Sequence, residues 1–203
     1  MIYGPITILL INITNPIIST FFGADRVLPT LSIILIFTNF YLTNFREILQ
    51  TFKGSLGLYY YDRKRPVIEG IMNLVLSIFL GKIWGFNGII GATIITNLTV
   101  NLWIEPLIIH HYGLERSSIW FYVTSIFRIA IVIIVGYITY SINSMIPLTG
   151  IMEIIVKTLT CLLIIVPVFF VLYRKNSEAR TILNTLKIAF TKNKTDKEDN
   201  SNN

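Results

Sequence analysis

An all-α, polytopic membrane protein is the fold class that this sequence predicts, and three observations predict it. The chain of 203 residues is 53% hydrophobic and only 14% charged. Its mean hydropathy of +0.66 lies far from the balance of a soluble domain. Its apolar residues gather into six runs, near 2–22, 28–45, 66–83, 86–105, 119–140 and 151–173, and each approaches the roughly 20 residues that a helix needs to cross a bilayer.

The run 2–22 has no basic n-region, exceeds an h-region in length and leads to no A-x-A-like cleavage site, so it reads as a span and not a secretory signal. The run 66–83 opens at Pro66 and is parted from 86–105 by a turn crowded with Gly81, Gly85, Gly88 and Gly91. Pro5, Pro16, Pro29 and Pro167 fall within or at the ends of spans, where kinks and close helix contact are tolerated. Residues 1–173 thus form a six-span unit, and 174–203 a soluble tail. In that tail Ile182, Leu183, Leu186 and Phe190 recur at helical spacing, which predicts a short amphipathic helix on a membrane surface. The polar end, TKNKTDKEDNSNN, predicts disorder.

Cytoplasmic loops carry the excess of Lys and Arg, and that rule orients the chain. The 46–65 loop holds Arg46, Lys53, Arg63, Lys64 and Arg65, the 106–118 loop holds Arg116, and seven more basic residues follow Tyr173. The opposite connections hold only Arg26 and Lys82. The carboxyl terminus and the DRKR segment are therefore expected in the cytoplasm. The net charge of +6 belongs mostly to these anchors. It offers no basic face on a soluble fold, which argues against nucleic acid, and it suits anionic membrane lipids as partners. No glycine-rich nucleotide loop is present, so no ATPase or other cofactor is implied. Cys161 is single, which leaves no disulfide. His110 and His111 lack the carboxylate-bearing motif of a metal centre, so no metal site is assigned.

Polar side chains inside spans carry the functional information, because ionisable groups in hydrocarbon are costly and face bundle interiors or cavities. Glu69, Asn73 and Ser77 stand at i, i+4 and i+8, and Thr93, Asn97 and Asn101 repeat that spacing. The two stripes predict facing polar walls of an interior. Arg128 lies nine residues inside its run, roughly 13 Å deep, at a level similar to Asn73 and Asn97. Its planar fork of donors suits a phosphate or a carboxylate. Lys157, with Glu153 one turn earlier, reads as a self-neutralising pair.

The stretch Ala24 to Arg116 resembles the carboxyl-terminal half of polysaccharide flippases, the O-antigen and teichoic-type translocases of the multidrug/oligosaccharidyl-lipid/polysaccharide exporter superfamily. The residues that carry the likeness are FFGADRVLP, the DRKRPVIEGIMNLVLSIFL block, the turn GFNGIIGATIIT and WIEP. The resemblance implies one six-helix lobe of a two-lobed transporter, in a bacterial plasma membrane. Such a transporter, not an enzyme, moves an undecaprenyl-pyrophosphate-linked oligosaccharide from the inner to the outer leaflet for cell-surface polysaccharide biosynthesis. A first lobe, or a second copy, would complete the machine, and a Met1 that begins in hydrocarbon is the expectation for a truncated second half.

On this reading Arg63, Lys64 and Arg65 form a basic rim that draws in the pyrophosphate, and Arg128 receives it deeper. Glu69 and Asp62 either balance the rim or couple transport to an ion, and Asn73, Asn97 and Asn101 line the cavity. Two other readings stay open. One is a cation-coupled drug extruder of the same superfamily, which a basic mouth disfavours. The other is a membrane enzyme acting on lipid-linked sugars through His110 and Glu105.

Overall fold

The computed structural model describes residues 3–114 and 117–174, with side chains through residue 170. The amphipathic segment and polar tail expected after residue 174 lie outside the described residues, as does Arg116. The chain divides into two compact units, Met1–Leu162 and Leu163–Asn203. The packing that follows is that of the first; of the second, residues 163–174 are described and are helical.

Every regular element among the described residues is helical. The helices are α1 (Tyr3–Phe22), α2 (Thr30–Ser55), the single turn α3 (Tyr59–Asp62), α4 (Arg65–Thr96), α5 (Leu102–Ile108), α6 (Ile119–Ser144) and α7 (Ile151–Arg174). Wider π turns at Asn97–Asn101 and Ile109–Gly113 flank α5. Four stretches among the described residues are long and apolar enough to cross a membrane: Tyr3–Phe22, Tyr59–Gly113, Ile119–Ser144 and Ile151–Phe170.

The second of these is 55 residues long, about 80 Å if straight, against a hydrocarbon layer of roughly 30 Å. It is not straight. Gly85 has φ 56 and ψ −132, a conformation open to glycine and strained for residues with a Cβ. The chain folds back there, and partners step away from the turn in order: Asn73 Nδ2 donates to Thr93 Oγ1 (3.3 Å), Thr99 Oγ1 approaches Met72 Sδ (3.8 Å), and Asn101 Nδ2 donates to Glu69 Oε1 (2.9 Å). The result is an antiparallel helical hairpin. Gly88 makes its closure possible, since a Cβ at that position would lie 2.0 Å from the Leu80 carbonyl oxygen. On the first arm Val67, Ile71, Leu74 and Ile78 form an exposed apolar stripe at helical spacing, the face a lipid-bathed helix presents.

Helix α2 departs from expectation. The span 28–45 was to end where a charged loop began at Arg46, whereas the helix runs on to Ser55 and carries Arg46 and Lys53 as helical residues. Its average apolarity is low because Asn39, Asn44, Arg46, Glu47 and Lys53 interrupt it. Most of them face protein. Ser32 Oγ donates to Asn87 Oδ1 (2.8 Å), Asn97 Nδ2 reaches Asn39 Oδ1 (3.5 Å), and Arg46 reaches Glu105, so α2 lies parallel to the second arm.

Helix α1 packs on α2 and α6. Asn15 closes its link to α2 by exchanging two hydrogen bonds with the Leu28 backbone (3.0 and 3.1 Å). Asn143 of α6 donates to Asn12 of α1 (2.9 Å) and accepts from Thr160 of α7 (2.5 Å).

The glycine turn is open to a direct test. Gly88→Ala drives a methyl group into rigid backbone and should cost at least about 2 kcal/mol, seen as a lowered unfolding midpoint in detergent. Gly91→Ala, which meets nothing within 4 Å, should leave the midpoint unchanged.

Candidate functional site

Six ionisable side chains from four segments converge where α2, α3, the start of α4 and α5 come together. Three are cations, Arg46, Lys53 and Arg65, and three are carboxylates, Asp62, Glu69 and Glu105, so the cluster is formally neutral. Lys53 is 3% exposed, Asp62 4%, Arg65 5% and Glu105 0%. Burial at that level requires paired charges.

Arg65 is the hub. Its Nε donates to Asp62 Oδ1 (2.7 Å) and its Nη2 to Asp62 Oδ2 (3.0 Å), a bidentate pair made within one helical turn. Nη1 donates to Glu69 Oε2 (2.8 Å) and Asn101 Oδ1 (2.6 Å), and Nη2 lies 3.0 Å from Glu105 Oε1. Arg46 meets Glu69 through both terminal nitrogens, with Nη2 to Oε2 at 2.8 Å, and its Nε donates to Glu105 Oε1 (3.1 Å). The Gln50 amide, with its oxygen toward Arg46, accepts from Nε (2.9 Å) and Nη2 (3.0 Å). Lys53 donates to Asp62 and stands 4.0 Å from Glu105 Oε1.

Glu105 is the innermost member, and its two oxygens differ. Oε1 collects Arg46, Arg65 and Lys53, whereas Oε2 is buried without a hydrogen-bond partner among the described residues. The next residue, Pro106, has no N–H to give the helix. Its carbonyl accepts from His110 Nδ1 (2.8 Å), which fixes the proton of that imidazole on Nδ1.

The expected site residues fall into four groups. Asp62, Arg65, Glu69, Asn97 and Asn101 join the cluster, where Asn101 Nδ2 also donates to Asn97 Oδ1 (2.8 Å). Arg65, assigned to an open rim, lies inside with its donors turned to protein groups, while Arg63 and Lys64 of that rim are exposed and the Arg63 guanidinium sits 4.7 Å from the Tyr60 ring centre. Asn73 bonds to Thr93 and Ser77. The two polar stripes do face each other, but as a hydrogen-bonded seam; the cavity bounded by Arg46, Asn97, Asn101 and Glu105 measures about 10 Å³, room for one water at most.

Arg128 stands apart. It is half-buried in α6, influences Tyr41 of α2 electrostatically, and makes no hydrogen bond or ion pair among the described residues. No hydrogen bond or ion pair joins it to Asn73 or Asn97 among those residues, so similar depth does not link the three. Three members of the cluster, Arg46, Lys53 and Glu105, were not assigned to it from sequence. For Arg46 and Lys53 the signal was present in α2, where Ser32, Asn39, Arg46 and Lys53 recur every seven residues, two helical turns, on one face.

Fold and site together define an all-helical chain with several membrane-length apolar helices, held by a buried, neutral charge cluster. No family model matches this sequence, and neither a curated protein nor a solved structure is detectably similar to it.

Breaking the cluster one member at a time should be severe. Asp62→Leu takes from Lys53 its hydrogen-bonded carboxylate, leaving only Glu105 at 4.0 Å, and from Arg65 its bidentate partner, an expected loss of about 3–5 kcal/mol in a chemical unfolding series. The double variant Asp62→Leu with Lys53→Met removes both charges of that pair and should lose clearly less than the sum of the two single changes. Additive losses would mean that the two groups do not interact.

Proposed function

We propose that this chain is one six-span lobe of a flippase for undecaprenyl-pyrophosphate-linked oligosaccharides, in a bacterial plasma membrane with its carboxyl terminus in the cytoplasm. The six passes are α1, α2, the two arms of the hairpin, α6 and α7. Each arm suits one crossing, since residues 65–84 and 86–105 each give about 30 Å of helix. The resemblance of the DRKRP block and WIEP supports the family, and the lobe would work with a second lobe across a central cavity.

Arg128 is the observation that carries this reading. A cation in an apolar helix with no anion beside it is costly unless it meets one during function. A pyrophosphate supplies that anion, and a guanidinium recognises it through two parallel charge-assisted hydrogen bonds. Arg63 and Lys64, exposed beside α3, are placed to attract the same group from water. Arg65 plays a different part from theirs, holding Asp62, Glu69 and Glu105 in place.

In cells whose surface polysaccharide depends on this protein, Arg128→Ala should reduce surface polysaccharide by more than about tenfold at equal membrane abundance. Arg128→Lys keeps the charge and loses the fork, so it should fall well short of full activity. Unimpaired export by both variants would remove Arg128 from substrate recognition.

A further inference from the structure

Two chambers open among α1, α2 and α6, the smaller also bordered by α7, and neither is lined by a charged member of the cluster. The larger has a volume of about 410 Å³ and walls of Ile8, Ile34, Leu42, Ile129, Ile133 and Gly136. The smaller, about 190 Å³, is bounded by Asn15, Thr30, Ser144 and Lys157. Ile11, Asn12 and Tyr140 line both, so the two adjoin. Side by side they make a slot with a polar, lysine-bearing end and an apolar body.

The donors at the polar end are only partly used. Lys157 Nζ has three protons and, among the described residues, gives one hydrogen bond, to Glu153 Oε1 (2.7 Å). The hydroxyls of Tyr140 and Thr30 make none among those residues. Asn12 and Asn15 are committed to Ile8, Asn143 and Leu28 and serve as a rigid frame. The apolar body would take on the order of a dozen methylene-sized groups, at roughly 30 Å³ each, the volume share of one water. A slot with an ammonium group and hydroxyls at one end and a hydrocarbon-sized body beyond it complements an amphiphile with an anionic head.

We infer that this slot holds one glycerophospholipid, with its phosphate on Lys157 and the Tyr140 hydroxyl and one acyl chain in the apolar chamber. The inference does not depend on the flippase reading, which rests on Arg128. It gives α1, α2 and α6 a lipid as part of their packing, and Lys157 a role beyond neutralising Glu153.

Native mass spectrometry of the full chain, purified in a non-ionic detergent and titrated with phosphatidylglycerol, tests it. One lipid per chain should be retained, and diacylglycerol, which lacks the phosphate, at least about tenfold more weakly. The paired change Lys157→Gln with Glu153→Gln should bring phosphatidylglycerol down to the diacylglycerol level and leave diacylglycerol binding as it was.

Gly136→Leu should lower retention of both lipids by more than about tenfold with helix content unchanged by circular dichroism. A Cβ there meets only Ile8 Cγ1 at 3.6 Å, an ordinary contact. Thr38→Leu fills the chamber from the α2 wall and is the second filler should the first misfold. Equal retention of the two lipids, retention untouched by either filler, or retention of polyprenyl phosphate with none of phosphatidylglycerol would each overturn the assignment.

Discussion

Four of the six charges in the cluster are almost fully withdrawn from water, and the rest of the fold is arranged around that fact. A buried ion without its partner costs several kcal/mol, so the cations of α2, the carboxylate of α3 and those of the hairpin must arrive together. Arg65 makes this possible by reaching Asp62, Glu69 and Glu105 from one side chain. It ties the start of the first arm to the end of the second, which fixes the register of the hairpin far from its turn. Arg46 and Lys53 then fasten α2 against both arms. Closure at Gly85 and Gly88 and pairing at Arg65 are two ends of one constraint: the backbone permits the fold-back, and the charges select its register.

Much of this was legible in the sequence, and what was not has a physical reason. The spacing of Glu69, Asn73 and Ser77 against Thr93, Asn97 and Asn101 pointed to two facing stripes, and the glycines between them marked the turn. The inner half of the cluster was hidden by the assumption that a basic residue after an apolar run belongs to a loop. Average hydropathy cannot distinguish a helix that has ended from one whose polar face meets another helix. The seven-residue period of Ser32, Asn39, Arg46 and Lys53 does distinguish them, because a loop has no reason to keep it. Glu105 was harder to see, since a carboxylate near a span end is ordinarily interfacial. What buries it is the convergence of three cations from two other segments, which no local pattern encodes.

Charge in this molecule serves two opposite ends. In the cluster every charge faces an opposite one at ion-pair distance, and an oxygen of Glu105 is buried without a hydrogen-bond partner among the described residues. Such a site has little left to offer a ligand, for an incoming phosphate would have to displace carboxylates already held at hydrogen-bond distance. Arg128 and Lys157 lie elsewhere and keep donors unspent: Arg128 has no ion pair among the described residues, and Lys157 gives one of its three protons to Glu153. Structural ions and candidate ligand ions are thus separated by whether their hydrogen bonds are already filled, a distinction that depth in the membrane alone does not make.

That separation bears on how the protein can move. Parting α2 from the hairpin would uncover several buried ion pairs, each costing about 3–5 kcal/mol once a partner is lost, so these elements are bound to shift as one body. Between α1, α2 and α6 the ties are a few neutral hydrogen bonds around two open chambers, each bond worth about 1 kcal/mol. The softer seam of the unit therefore runs through the chambers and not through the charges. Arg128 stands on α6 beside that seam and acts electrostatically on Tyr41 of α2. A displacement of α6 would change what Arg128 can reach while the cluster stays whole, which is the mechanical condition for a ligand site that opens and closes on a rigid frame.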